Sequence, residues 1–187
     1  MNKPQVFLDL DGVIVDLIRP AYARHGLALD YKNHHNWEVD LSCFPGTASA
    51  FWEGLTPAFW EGLPFTEEAP FLLEFLKPYK PTILTSPTRN SATAKLLWLR
   101  KNLPDYYHSK RYLIGPGKIA CAREGAFLID DREETCLKWE DAGGTAILVP
   151  RPWNSRRDLE DFCVGHVTSD FAIAWARYMR KYEELLN

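Results

Sequence analysis

The sequence predicts an α/β fold, a Rossmann-like open parallel sheet with helices on both faces and a small helical cap inserted after the first strand. Four short apolar runs, at 6–8, 82–84, 127–129 and 145–149, have the length and composition of buried parallel strands. Helical patterns separate the later runs, and this alternation is typical of a sheet covered on both sides. Residues 17–65 break the alternation and lack an obvious core strand, so we interpret them as the cap.

The predicted helices are placed by their caps and their apolar spacing. One opens at Thr66 with two acidic residues in its first turn, and another ends at the pair Gly143-Gly144. A helix over 91–103 is expected to bury Ala94, Leu97 and Trp98, with Lys101 at the edge of that face. The remaining predicted helices cover 133–142 and 169–186.

These elements divide the chain into two parts. Residues 1–16 and 66–187 are predicted to form the α/β core domain, and 17–65 the cap. Within the cap the pentapeptide FWEGL occurs at 51–55 and again at 59–63, which predicts two short helices with their Phe-Trp pairs on similar faces. Two interpretations remain open, because these aromatic side chains suit either a small hydrophobic core within the cap or the stacking of a substrate ring.

The composition excludes several classes of protein. The chain has 187 residues, 46% of them hydrophobic, which is far from a disordered composition. Its net charge of -3 gives no support for binding nucleic acid or an anionic membrane. The four cysteines form no Cys-x-x-Cys pair, and no apolar run approaches the length of a membrane span. We therefore expect a soluble cytoplasmic protein with reduced thiols.

Polar side chains follow the predicted strands where each strand ends. Asp9 and Asp11 follow the first, Thr85 and Ser86 the second, and Asp130 and Asp131 the third, while Lys118 precedes the third. Ligands of open α/β sheets bind at the carboxyl ends of the strands. Carboxylates gathered there repel one another, and Mg²⁺ with its preference for oxygen ligands would offset that repulsion. The pattern therefore predicts a site for phosphoryl transfer.

The spacing of the first two aspartates predicts a different catalytic role for each. Residues i and i+2 of a strand point to the same side, so Asp9 and Asp11 can act on the two ends of one bond. We expect Asp9 to attack phosphorus and form an aspartyl-phosphate. Asp11 is then expected to protonate the leaving oxygen and to deprotonate the incoming water.

Four features follow one another along the chain: DLDGV, Thr-Ser after a strand, Lys118 and Asp-Asp. They resemble, in the same order, the four motifs of the haloacid dehalogenase (HAD) superfamily of phosphatases. The longer matches DLDGVIVD, ILTSPTR and LIDDR followed by Trp-Glu more closely resemble the 5'(3')-deoxyribonucleotidases. Those enzymes carry Arg-Asp before the motif lysine, whereas this chain has Pro116-Gly117.

The resemblance implies the HAD fold and a role for each matching residue. Asp9 is implied as the nucleophile and Asp11 as the acid and base, with Thr85 and Lys118 holding the phosphoryl group. Ser86 and Arg89 are implied to reach the phosphate from the same loop. The implied Mg²⁺ ligands are the Asp9 carboxylate, the Asp11 backbone carbonyl and Asp131, with Asp130 in support.

Three functions follow as hypotheses. The first is a Mg²⁺-dependent phosphomonoesterase acting on a nucleoside monophosphate, with Trp60, and after it Trp52, as candidates for stacking on the base. The second is a phosphatase of the same fold for a sugar phosphate or other small metabolite. The third, a non-catalytic module that kept the fold, is disfavoured by the intact set of carboxylates, hydroxyls and lysine. The expected partner is a small phosphorylated molecule, and neither the preferred base nor the oligomeric state follows from the sequence.

Overall fold

The computed structural model describes residues 4–30, 34, 44–88 and 90–184. Its centre is a five-stranded, wholly parallel sheet in the order β3-β2-β1-β4-β5. The strands are β1 Gln5–Leu8, β2 Thr82–Thr85, β3 Tyr112–Ile114, β4 Ala126–Asp130 and β5 Thr145–Leu148. The predicted α/β class with a parallel sheet is therefore confirmed. The prediction of four strands was wrong by one, because β3 is a three-residue edge strand whose Leu113 is exposed.

The helices of the described residues lie between and after these strands. They are α1 Ile18–Arg24, α2 Ala48–Glu53, α3 Pro57–Glu61, α4 Ala69–Leu76, α5 Ala92–Asn102, α6 Pro104–His108, α7 Glu133–Asp141 and α8 Cys163–Glu184. Short 3₁₀ turns occur at Lys77–Tyr79, Lys118–Cys121 and Arg157–Phe162. None of the helices in these ranges combines the length and the apolar character needed to cross a bilayer.

Two helix starts differ from their predictions. Helix α4 begins at Ala69, because the hydroxyl of Thr66 donates to the carbonyl of Val13 (2.9 Å) instead of capping the helix. Helix α8 begins at Cys163, well before the predicted 169. The start of α4 is therefore set by a contact with a distant residue, which the local pattern does not show.

Helix α5 buries a different face from the predicted one. Lys95 and Leu99 are buried beside Ala94 and Trp98, whereas Leu97 is 39% exposed and Lys101 lies in solvent. The prediction placed Lys101 at the edge of the buried face and did not consider Lys95. In the structure the Lys95 side chain points into the molecule, and the contacts of its ammonium group, described with the site below, explain why.

Two hydrophobic layers hold the sheet, and the alternation of side chains along each strand assigns residues to them. In β1, Val6 and Leu8 belong to the larger layer, which includes α4, α5 and α8. Phe7 points to the opposite layer, where the indole of Trp139 on α7 packs against it edge-on at 5.5 Å. Strands buried on both faces explain why the sequence shows continuous apolar runs rather than an alternating pattern.

The strand order creates a crevice at one edge of the sheet. The chain runs from β1 to β2 and β3 on one side, and then returns to β4 and β5 on the other side of β1. The reversal of direction lies between β1 and β4, which is where open α/β sheets bind their ligands. The fold therefore directs attention to the residues that follow Leu8 and end β4.

The predicted cap packs closely on the core. Backbone hydrogen bonds join the segments where the chain enters and leaves the cap, from Asp16 N to Pro64 O (3.0 Å) and from Thr66 N to Ile14 O (2.8 Å). Buried Phe51 and Trp60 belong to the same continuous hydrophobic cluster as the sheet. The division at 16/17 and 65/66 stays a prediction.

The two FWEGL helices do not present matching faces. Phe51 is the fully buried member of the first pair and Trp60 of the second, while Trp52 and Phe59 are only partly buried. The expectation of similar faces was therefore wrong. The identical pentapeptides are buried differently because each helix meets different neighbours.

Candidate active site

Three aspartates meet at the crevice between β1 and β4. Asp9, Asp130 and Asp131 are all buried, and one carboxylate oxygen from each lies within 4.8 Å of the others. Parallel pairing of β1 with β4 brings them together, and Asp9 N donates to Ile129 O (2.9 Å) beyond the last pair of the ladder. Such a cluster of buried oxygens is suited to a hard divalent cation.

Gly12 allows the chain to turn against this cluster. Its φ is +72°, in the left-handed region, and a Cβ built on it would lie 2.1 Å from Oδ2 of Asp131. Any side chain would therefore displace the carboxylate as well as strain the backbone. The glycine of DLDG is needed because the Asp131 carboxylate lies directly against its Cα, and not only because the chain turns there.

Lys118 neutralises part of the cluster. Its ammonium lies 2.7 Å from Asp9 Oδ1 and donates to Asp130 Oδ2 at 2.8 Å. Burial lowers the pKa of Lys118, but the two adjacent carboxylates raise it by more, so the group stays charged. The structure thus places the predicted lysine beside the predicted nucleophile.

A second buried lysine, Lys95, was missed by the sequence analysis. Its ammonium donates to Asp11 Oδ2, to Thr85 Oγ1 (2.8 Å) and to the carbonyl of Ser86 (3.1 Å). It therefore joins the Asp11 side chain to the loop that follows β2. The signal for it was its helical spacing, because positions 94, 95, 98 and 99 form the buried stripe of α5.

The carboxylates carry raised pKa values. Burial, and then the charge of Asp9, raises the pKa of Asp130 to about 6 despite its bond to Lys118. Burial and the neighbouring Asp130 hold the pKa of Asp131 well above its ordinary value. Burial also raises the pKa of Asp11, against the opposing effect of Lys95. A raised pKa suits a carboxyl group that must donate a proton.

The charges of the site leave room for a divalent cation. When all four are ionised, Asp9, Asp11, Asp130 and Asp131 carry two more negative charges than Lys95 and Lys118 balance. Asp131 Oδ1 is buried and has no hydrogen-bond partner among the described residues. The excess charge, the unpartnered oxygen and the all-oxygen donor set all fit Mg²⁺.

The raised pKa values predict an inverted pH dependence of stability for the metal-free protein. Folded-state pKa values above the unfolded value of about 4 mean that the native state binds more protons, so stability falls as pH rises through that window. In excess chelator, we expect the free energy of unfolding to increase as pH drops from 7.5 to 5.5. Asp130 alone contributes about 1 kcal/mol to this increase.

Urea denaturation followed by tryptophan fluorescence measures this effect. Asp131→Asn removes one buried charge and should flatten the pH dependence. Glu68, whose pKa is lowered, titrates below this window and does not mask it. Stability that decreases steadily from pH 7.5 to 5.5 in chelator would contradict the prediction.

The predicted site residues within the described chain line one pocket of about 230 Å³. Its walls include Asp9, Asp11, Trp52, Trp60, Thr85, Ser86, Lys118, Asp130 and Asp131. Arg89, the remaining predicted substrate-binding residue, lies outside the described residues. Thr85 is fully buried, whereas Ser86 is exposed to solvent. The structure brings the predicted set together, and the role of each member stays a prediction.

The two tryptophans of the pocket differ in accessibility. Trp60 is 1% exposed, with the ring of Trp52 stacked at 6.5 Å and Lys95 Nζ 5.8 Å from its ring centroid. Trp52 is partly exposed and also borders a neighbouring groove of about 250 Å³ that contains Ser49, Glu53, Thr88 and Asn90. Trp52 therefore replaces Trp60 as the first candidate for stacking on a substrate.

A larger cavity, of about 600 Å³, lies behind Gly12, but the strand-end cluster does not face it. Its walls include Arg151 and Glu68, which form an ion pair at 3.1 Å. Arg151 is buried and its Nε donates to the carbonyl of Gly12 (2.6 Å). Because these charges are already paired, we place the chemistry in the smaller pocket.

Solved structures of similar fold include HAD hydrolases. A HAD-family hydrolase from Deinococcus radiodurans R1, with bound phosphate and sodium, is 19% identical; the match covers 94% of this chain and 96% of that one, with a TM-score of 0.52. A HAD hydrolase of family IA, variant 3, from Entamoeba histolytica is 14% identical over 84% of this chain and 88% of its own, also with a TM-score of 0.52. No protein-family model and no curated protein matches the chain.

These likenesses establish the fold. The protein has the HAD-hydrolase fold, as its motifs predicted. The closer resemblance to the 5'(3')-deoxyribonucleotidases stays a prediction.

Proposed function

We propose that the protein is a Mg²⁺-dependent phosphomonoesterase that acts through an aspartyl-phosphate on Asp9. The observation that carries this proposal is the buried cluster of Asp9, Asp130 and Asp131 with Lys118 bound to two of its members. The cluster lies at the carboxyl ends of adjacent strands, where the order of the sheet reverses. The bound phosphate in the Deinococcus hydrolase of similar fold is in keeping with a phosphorylated substrate.

The ligands that would hold Mg²⁺ are the carboxylates of Asp9 and Asp131 and the backbone carbonyl of Asp11, with Asp130 in support. When bound, the ion supplies charge neutralisation to the phosphoryl oxygens. Lys118 adds a second cation beside Asp9, and the Thr85 and Ser86 hydroxyls are donors for phosphate oxygens. This arrangement serves a reaction in which positioning and charge neutralisation matter most.

In the proposed reaction, a carboxylate oxygen of Asp9 attacks phosphorus while the bond from phosphorus to the ester oxygen breaks. The departing oxygen takes its proton from the carboxyl group of Asp11. Asp11, now ionised, removes a proton from a water molecule that attacks the phosphorus of the aspartyl-phosphate. The bond from phosphorus to the Asp9 oxygen breaks, so that inorganic phosphate leaves, Asp9 is again a carboxylate and Asp11 is again protonated. Lys95 holds the Asp11 side chain beside Thr85 throughout.

We propose nucleoside monophosphates as the substrates. Trp52 borders both the phosphate pocket and the adjoining groove, so its ring lies where the leaving group would emerge. A nucleobase presents a flat face to such a ring, and stacking is worth roughly 1–3 kcal/mol per base. The alternative substrates, sugar phosphates, offer no comparable flat face.

A screen of phosphate release tests the proposal directly. Nucleoside 5'- and 3'-monophosphates, sugar phosphates and a chromogenic phosphate ester are compared with Mg²⁺ and with excess chelator. We expect turnover of the chromogenic ester and of nucleotides, and its loss in chelator. Turnover of sugar phosphates alone would assign the second hypothesis, and no turnover of any ester would favour the non-catalytic module.

Trp52→Ala should separate substrates that carry a base from those that do not. Losing the stacking energy should lower kcat/KM for nucleoside monophosphates by about 5- to 150-fold. A small aliphatic ester such as glycerol phosphate should be nearly unaffected. Steady-state kinetics on both substrates provide the measurement.

Phe59→Ala is the matched control for this substitution. Phe59 is also a partly buried aromatic residue of an FWEGL segment, but it borders neither the phosphate pocket nor the groove. It should leave the ratio of the two kcat/KM values unchanged. If Trp52→Ala harmed both substrates equally in a folded protein, the aromatic cluster of the cap would be a packing feature only.

A further inference from the structure

The segment that follows β5 contacts the acidic cluster from outside the pocket. Trp153 is buried, and its indole Nε1 donates to Oδ2 of Asp131 at 2.9 Å. Asn154 Nδ2 donates both to the carbonyl of Asp131 (2.8 Å) and to that of Val149 (2.8 Å). Trp153 and Asn154 therefore hold the side chain and the backbone of the same residue.

The contact gives the two oxygens of the Asp131 carboxylate different surroundings. Oδ2 accepts the indole N–H on the side where Gly12 leaves no room for a Cβ. Oδ1 is buried and, within the part of the chain that the structure describes, has no hydrogen-bond partner, so its acceptor capacity remains for a ligand. A carboxylate held through one oxygen cannot rotate freely, and its other oxygen keeps a fixed direction.

The chemistry of the donor also matters. An indole N–H is neutral, so it fixes the carboxylate and leaves its negative charge in place. A lysine or arginine at the same position would neutralise that charge. Asp9 and Asp130, by contrast, both have the Lys118 ammonium beside them. Among the residues that the structure describes, Asp131 is thus the member of the triad whose carboxylate forms no ion pair with a lysine or arginine.

We propose that Trp153 is a positioning residue for the metal site, which orients Asp131 so that its free oxygen binds Mg²⁺. This inference rests on the proposed function, because it assumes that the cluster holds Mg²⁺. Removal of the partner that orients a metal ligand typically weakens metal binding by about 10- to 100-fold. Trp153 itself need not touch the metal or the substrate.

A purely structural role for Trp153 is the competing explanation, because its ring belongs to the main hydrophobic cluster. The two explanations differ in what Trp153→Phe should change. Phenylalanine keeps an aromatic ring in place but has no N–H to donate. A positioning role therefore predicts weaker Mg²⁺ binding by a folded protein, whereas a structural role predicts reduced stability with unchanged binding.

Trp139→Phe provides a matched control. Trp139 is also buried and also donates its indole N–H, to the carbonyl of Ala126 at 3.1 Å in the opposite layer. The same atoms are removed in both variants. Only Trp153→Phe removes a hydrogen bond to a proposed metal ligand.

Isothermal titration with Mg²⁺, and electron paramagnetic resonance with Mn²⁺, measure binding without reference to activity. We expect Trp153→Phe to raise the dissociation constant by about 10- to 100-fold and Trp139→Phe to change it by less than about threefold. Equal dissociation constants in the wild type and in folded Trp153→Phe would overturn this inference alone. A wild-type protein that binds neither ion would overturn it together with the proposed function.

A second measurement uses the wild-type protein and does not depend on how well the variant folds. In a ¹⁵N spectrum of the indole groups, the Trp153 N–H should exchange slowly with solvent and should shift when Mg²⁺ is added. The Trp139 N–H should also exchange slowly but should not shift. Rapid exchange of the Trp153 N–H with solvent would count against the proposal. So would a Trp153 chemical shift that stays unchanged while Mg²⁺ binds.

Discussion

Asp9→Asn should abolish turnover while the protein remains folded. The amide cannot act as the nucleophile, and loss of a covalent nucleophile is expected to cost about 10³-fold or more in kcat. The fold should survive because an uncharged group relieves repulsion with Asp130 and Asp131. Lys118 also keeps its 2.8 Å bond to Asp130. Phosphate release and urea denaturation, measured on the same preparation, test both parts.

Asp16→Asn is the matched control for Asp9→Asn. Asp16 is a partly buried aspartate on the same segment, but it borders the larger cavity behind Gly12 and not the active-site pocket. The same chemical change there should leave kcat within about threefold of the wild type. Residual activity of Asp9→Asn within tenfold of the wild type would remove Asp9 from its assigned role.

Asp11→Asn should slow the reaction most for esters with poor leaving groups. Protonation by a positioned acid contributes about 10²- to 10⁴-fold, and an alkoxide needs that proton far more than a nitrophenolate does. We expect a loss on this scale with an alkyl phosphate and a much smaller one with nitrophenyl phosphate. Pre-steady-state measurement of the phosphorylation step isolates the effect.

The contacts of Asp11 make this substitution a mild one for the fold. An asparagine can still offer an oxygen to Lys95, and Lys95 keeps its bonds to Thr85 Oγ1 and the Ser86 carbonyl. A change in rate can therefore be attributed to proton transfer and not to collapse of the pocket. If both esters lost the same factor in the phosphorylation step, Asp11 would not be the acid.

The fold class and the central cluster were predictable because both depend on local patterns. Continuous apolar runs identify strands buried on two faces, and the carboxyl ends of parallel strands share one edge of the sheet. The cluster could therefore be predicted from the fact that Asp9 follows one strand and that Asp130 and Asp131 lie at the end of another. Their proximity follows from the parallel pairing of β1 with β4. Lys118 was found from its place in the motif order, and the structure puts its ammonium 2.7 Å from Asp9.

Only the tertiary structure decided which other side chains serve the cluster. Lys95 and Asp11 are 84 positions apart, and a lysine on a helix is ordinarily exposed, so no local pattern joined them. The two FWEGL segments are identical in sequence, yet Trp52 is accessible and Trp60 is buried, because their neighbours differ. Trp153 reaches Asp131 across a gap of 22 residues. Sequence patterns record the period of an element and the residues at its ends, whereas the burial of a charged group or the direction of a ring depends on what packs against it.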